Sequence, residues 1–184
     1  MNATGSSTTR LVVVRGNSGC GKTSVAAAVR SHLGRTCALV QQDVLRRTVL
    51  RERDIPDGAN IGLISLVARY ALDHGYHVLV EGILHAERYA EMLAELADDH
   101  RGTTTFYYLD VSFEESVNRH ATRRQAAEFG AEDMRGWYRA HDVLGAPEER
   151  VVPQNSTLAG TTSRILDEVF GIAVTNPPLG GRSA

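Results

Sequence analysis

The chain has almost no cysteine: Cys20 and Cys37 are its only two in 184 residues. That excludes a disulfide framework and the paired spacing of a structural zinc site. A reducing cytoplasm is the compartment such a chain fits. No apolar run reaches the length needed to cross a bilayer. Met1 to Thr9 is rich in Ser and Thr and has no apolar stretch, so it does not read as a secretory signal. Neither sign of charge dominates: 20 Lys and Arg stand against 22 Asp and Glu, a net charge of −2. General attraction to nucleic acid is thereby excluded, and any basic surface must be local. There is no internal repeat.

What is present suits one domain. The chain is 42% hydrophobic and 23% charged, enough for a proper core at this length. We expect a domain over 10–172, with disordered tails at 1–9 and 173–184. The second tail holds Asn-Pro-Pro and Gly-Gly.

The most informative stretch is Gly16-Asn17-Ser18-Gly19-Cys20-Gly21-Lys22-Thr23, which fits G-x-x-x-x-G-K-S/T, the phosphate-cradling P-loop. Its four fixed positions should arise by chance in roughly one chain in a few hundred of this length, so its surroundings decide. Before it, Leu11 to Val14 is an aliphatic run suited to a strand buried on both faces. After it, an alanine-rich segment with Val25, Val29 and Leu33 on one face predicts a helix ending at Gly34. The loop therefore lies between strand and helix, as the motif requires. Residues Gly16 to Ser24 are expected to hold the phosphates through backbone N–H groups and the helix N-terminus. Lys22 should reach the β- and γ-phosphates, and the Thr23 hydroxyl should bind Mg²⁺. The Cys20 thiol, at a helix start, would make the loop sensitive to thiol reagents.

Thr36 to Gln41 reads as a second strand, with Asp43 just past its end. Ligands in open α/β sheets gather outside the carboxyl ends of strands. Asp43 can thus serve as a base toward an attacking hydroxyl, or as the N-cap of a helix from Val44 to about Arg51. Arg46, Arg47, Arg51 and Arg53 read either as a solvated helix face or as a grip on an acidic group. Helical spacing from Ile61 to Leu72 predicts the next helix. Tyr76 to Gly82 is a third strand closed by Glu81, the Walker B arrangement, in which Glu81 holds Mg²⁺ or polarises the nucleophile. His85 follows, lining an acceptor pocket or starting a helix over 87–100. Thr103 to Asp110 is a fourth strand. Asp110 reads as a pocket acid or, with Ser112, as a cap for a helix from Phe113.

From about 114 to 142 the chain carries a cluster of arginines and histidines among its acids. Arg119 and Arg123 are four apart and share a helix face, with Arg124, His120, Arg135, Arg139 and His141 near them. This suits a mobile arginine-bearing lid over a transferring phosphoryl group, or else a solvated hairpin anchored by Trp137 and Tyr138. A fifth strand at Val151-Val152 and a helix through Ile165, Leu166, Val169 and Phe170 complete a β-α alternation, hence a parallel three-layer α/β domain.

These motifs together resemble the small P-loop kinases of the nucleoside-monophosphate-kinase-like superfamily. The branch is that of chloramphenicol phosphotransferase, polynucleotide 5′-kinases, gluconate-kinase-like enzymes and zeta toxins, many of them labelled AAA family ATPases. Gly16 to Thr23 matches their loop. Gln42-Asp43-Val44-Leu45-Arg46 resembles their strand-two motif, in which an aspartate activates the acceptor hydroxyl. Val78 to Leu84 is similar to the end of strand three in uridine-kinase-like relatives. Arg119 to Arg124 stands where the family has lid arginines, and Pro153 to Thr157 where a loop approaches adenine.

The resemblance implies a five-stranded parallel sheet in order 2-3-1-4-5, ATP as donor and Mg²⁺ as cofactor. It implies Asp43, Lys22, Arg119 and Arg123 as catalytic residues, with the two arginines also touching nucleotide and Thr23 and Glu81 at the metal. The chain has no Asn-Lys-x-Asp guanine motif, which argues against a GTPase. The expected partner is a small hydroxyl-bearing molecule such as an antibiotic, nucleoside or sugar, with the protein a monomer or homodimer. The alternatives are a polynucleotide 5′-hydroxyl kinase and a nucleotide-binding regulatory ATPase.

Overall fold

The computed structural model describes residues 3–121 and 130–174. Five strands form one sheet in the order β2-β3-β1-β4-β5. They are β1 (Arg10–Arg15), β2 (Cys37–Gln41), β3 (His77–Gly82), β4 (Thr103–Asp110) and β5 (Glu149–Pro153), and every neighbouring pair is parallel. Parallel strands need crossovers, and helices supply them. These are α1 (Lys22–Leu33), α2 (Ala59–Asp73), α3 (Ala86–Asp99), α4 (Phe113–Ala121) and α5 (Ala131–Trp137), while α6 (Leu158–Phe170) follows the last strand. The expected P-loop α/β architecture and strand order are what the chain adopts.

The alternation of β1 explains the layering. Leu11 and Val13 face α2 and α3, where they meet Ile64, Ala68, Leu72, Tyr89 and Leu93. Val12 and Val14 face α1 and α6, against Val25, Val29, Ile165 and Leu166. All four β1 side chains are fully buried, each contributing on the order of 1.5–3 kcal/mol. A strand covered on both faces reads as a continuous apolar run because neither side meets water.

Register places the chemistry at one end. Val14 pairs with Glu81, Gln41 also pairs with Glu81, and Arg15 pairs with Gly82. The carboxyl ends of β1, β2 and β3 therefore align where the P-loop begins.

Three local readings are corrected. Residues 3–9 are not a loose tail: Thr4 is buried and bridges His100. The Thr4 hydroxyl and Gly5 amide bond Asp73, and Thr9 bonds the His100 ring. Short hydroxyl side chains look like loop composition, yet here they satisfy polar groups at the lower edge of the sheet. Second, the turn after β2 is a π-helix, Val44–Leu50, that Asp43 does not cap. The Asp43 carboxylate accepts instead from Arg46 Nη2 at 2.8 Å. Third, Asp110 pairs with His141 at 2.9 Å rather than capping α4, while Ser112 Oγ does accept from the Glu115 amide. The expected tail beyond residue 174 lies outside the described residues.

Candidate active site

The loop between β1 and α1 wraps an open cradle. Gly19 has φ 83°, and a Cβ there would stand 2.5 Å from the Ser116 carbonyl of α4. Only glycine lets the loop pass so close to that helix. Gly21 has φ 108° and ends the loop as the N-cap of α1. A Cβ on it would project into open space. The first turn of α1 aims its orphan N–H groups out of this loop, with no acidic side chain in that turn to compete with an anion. A triphosphate fits such a cradle.

Lys22 is nearly buried and curls back over the loop, donating to the Asn17 carbonyl at 2.8 Å and standing 3.6 Å from Cys20 Sγ. The Thr23 hydroxyl lies 3.2 Å from each carboxylate oxygen of Glu81. Gln41 Nε2 donates to Glu81 Oε1 at 2.9 Å, as the β2–β3 register dictates. Thr23 and Glu81 thus meet as a hydroxyl and a carboxylate beside the cradle, hard oxygen donors of the kind Mg²⁺ takes. Among the described residues no group of three or more His, Cys, Asp or Glu is arranged to hold a metal. Cys20 is buried, and burial pushes the thiol of Cys37 up to about 11, leaving that one inert at neutral pH.

Beside the loop lies a cleft of about 180 Å³ between the starts of α1 and α6 and the ends of β4 and β5. Ser24, Val111, Arg119, Val152, Pro153 and Ser156 line it. Arg119 crosses its mouth, donating to the Cys20 carbonyl at 3.3 Å and the Gln154 carbonyl at 2.8 Å, with Glu115 bracing Nε at 2.6 Å. Its apolar walls and its contact with Cys20 and Gly21 suit a nucleoside adjoining the phosphate cradle. A larger groove, about 520 Å³, runs between α2 and α3, and no P-loop residue lines it.

The structure thus brings Gly16 to Ser24, Glu81 and Arg119 together. Asp43 stands at the carboxyl end of β2 with its side chain 59% exposed. Gln42, beside it, packs on Gly82, so a Cβ at that glycine would stand 2.4 Å from Gln42 Oε1. Arg123 and Arg124 lie outside the described residues.

Sequence reasoning passed over Arg15. Its side chain is fully buried and forms ion pairs with Asp142 at 2.8 Å and Glu149 at 2.9 Å. It also donates twice to the Leu84 carbonyl, at 3.2 and 3.0 Å. Leu84 has φ 46°, a left-handed conformation that costs a branched residue on the order of 1–3 kcal/mol. Arg15 therefore fastens the turn after β3 and the segment after α5 to the foot of the P-loop. Burial pushes the Asp142 carboxyl up, but the adjacent His85 ring, the Ala86 amide and Arg15 outweigh it and hold the carboxyl below its usual range. The available signal was a cation wedged between an apolar strand and the first glycine of the motif.

Comparison with known proteins agrees with this fold. The family model described as AAA domain matches residues 11–142. An APS kinase from Mycobacterium tuberculosis, solved with AMPPNP and APS, superposes with a TM-score of 0.68 at 20% identity, over 90% of this chain and 97% of that one. A sugar kinase from Janibacter gives 0.62 at 18% identity, over 86% and 92%. A gluconokinase from Sinorhizobium meliloti gives 0.57 at 18% identity, over 88% and 89%. None of the curated proteins matches.

Proposed function

The chain belongs to the AAA-domain family, and from that premise we propose that it transfers the γ-phosphoryl group of ATP to a hydroxyl of a small molecule. The observation that carries this reading is the meeting of Lys22, Thr23 and Glu81 around one glycine cradle at the sheet's carboxyl edge. The kinases among the structural relatives support it.

In this mechanism the loop amides and Lys22 hold the β- and γ-phosphates. Thr23 and Glu81 would hold Mg²⁺, which when bound would supply positive charge beside the phosphate oxygens. Asp43 takes the proton of the acceptor hydroxyl as its oxygen bonds to the γ-phosphorus and the bond to the ADP oxygen breaks. Arg119 and Arg123 stabilise the negative charge spread over the transferring group. Most of the acceleration comes from positioning and electrostatics, since the protein forms no bond to phosphorus. The acceptor is an antibiotic, nucleoside or sugar. Two free, buried thiols suit a reducing cytoplasm, and no described helix is long and apolar enough to cross a membrane.

The test is an ATP-consumption screen over nucleosides, sugars and antibiotics, with products checked by mass. One acceptor gaining a phosphate supports the reading. Nucleotide binding with no phosphorylated acceptor favours a regulatory ATPase, and label on an oligonucleotide 5′ end favours a polynucleotide kinase.

A further inference from the structure

β2 is apolar until its end, where two glutamines follow each other, Gln41 and Gln42. The phosphate-loop motif asks for neither, and neither has a role in the transfer chemistry. Successive side chains of a strand point to opposite faces of its sheet. Leu39 packs toward α1 and α6, and Val40 toward α2 and α3. The two glutamines continue that alternation, so one amide reaches each face.

On the α2 and α3 face Gln42 is buried, with both ends of its amide in use. Nε2 donates to the Tyr89 hydroxyl at 2.7 Å, and Oε1 accepts from the Leu84 amide at 3.3 Å. The Tyr89 oxygen lies in turn 2.7 Å from Asp54 Oδ1 and 2.8 Å from Asn60 Oδ1. Gln42 thus fastens the end of β2 to α3 and to the turn after β3. On the other face Gln41 Nε2 donates to Glu81 Oε1 at 2.9 Å, between two residues that are register partners.

Glu81 is buried, and its carboxylate meets the Thr23 hydroxyl as well as the Gln41 amide. The last torsion of a glutamate is broad, so the side chain by itself does not fix the plane of its carboxylate. Donors from α1 and β2 fix it here. Residues that orient a metal ligand without touching the metal are worth about 10–100-fold in metal affinity.

We propose that Gln41 is a positioning residue: it sets the plane of the Glu81 carboxylate so that Glu81 and Thr23 take Mg²⁺ together, while Gln42 holds the strand end from which Gln41 reaches. This rests on the ATP-dependent reading above. It gives a task to a side chain that the motif leaves without one.

Mn²⁺ titration of the whole chain with AMPPNP, followed by electron paramagnetic resonance, tests it. Gln41→Leu should weaken Mn²⁺ binding about tenfold or more. AMPPNP affinity measured by calorimetry in EDTA should stay within about twofold, a split that general damage to the fold would not give. Gln41→Asn keeps an amide but is too short to reach Glu81, and should lose the metal to the same extent. Gln41→Leu added to Glu81→Gln should cause no further loss, because Gln41 acts through that carboxylate. Either Gln41 variant binding Mn²⁺ as the unaltered protein does would overturn the proposal. So would an equal loss of AMPPNP affinity in EDTA, or a further loss in the double variant. An unaltered chain that binds AMPPNP equally well with and without metal would overturn the metal reading of Thr23 and Glu81 along with it. A chain that binds no AMPPNP would overturn the ATP reading itself.

Discussion

Thr23 and Glu81 are 58 residues apart in the chain, yet the Thr23 hydroxyl lies 3.2 Å from both Glu81 carboxylate oxygens. The first turn of α1 presents the hydroxyl, and the β1–β3 register brings the carboxylate to the same height. If this pair holds the metal, its loss should be felt only when metal is present. Thr23→Ala or Glu81→Gln should weaken Mg–ATP binding about tenfold, an estimate from the strength of charge-assisted contacts. ATP binding in EDTA should be unchanged. Fluorescent-nucleotide titration with and without Mg²⁺ checks this.

Gly21 has φ 108° and open space where a Cβ would lie. Gly21→Ala should therefore weaken nucleotide binding by putting a methyl group into the cradle. It should also cost about 1 kcal/mol or more of stability from the left-handed backbone. Parallel urea melts and ATP titrations separate the two effects.

Arg15 carries a buried charge whose partners, Asp142 and Glu149, come from the chain after α5. Breaking such a buried set is costly because a charge is left unpaired. Arg15→Ala should lose about 3–5 kcal/mol of stability. Urea unfolding measures this directly. A loss below about 1 kcal/mol would mean that the carboxylates find water on their own.

The Asp142 carboxyl is held below its ordinary value of 3.8 in the folded protein. The unfolded chain therefore binds a proton at a higher pH than the folded one. The stability contributed by this group is fully present above the unfolded value and fades as pH falls through the lower folded one. Asp142→Asn removes that contribution, so stability should depend less steeply on pH below about 4. Urea midpoints collected from pH 6 down to pH 3 check it.

Much of this site is legible in the sequence because its parts are local. The β1 run, the glycine spacing and the alanine-rich α1 lie in one stretch of chain, and Glu81 closes an unbroken apolar run in β3. What escapes is long-range or uses ordinary residues in unusual surroundings. The place of Arg15 between an apolar strand and Gly16 hints at a buried role, but its pairing with Asp142 across 127 positions is visible only in the folded chain. Asn17 occupies a position where any residue satisfies the motif, so the two bonds of its side chain to the Arg139 main chain are visible only in three dimensions. Residues 3–9 have loop composition, and the Asp73 and His100 groups they bond are distant in sequence. The π-helix after β2 has the same apolar and basic content as an α-helix, so composition does not distinguish its wider turn.

The most direct test of the central claim is the transfer rate of Asp43→Asn with the acceptor found in the screen. Asparagine keeps the shape at an exposed site but cannot take the proton. The rate should fall about 10²–10⁴-fold, while ATP affinity stays within about twofold. An Asp43→Asn protein that transfers phosphate at the full rate would contradict the account.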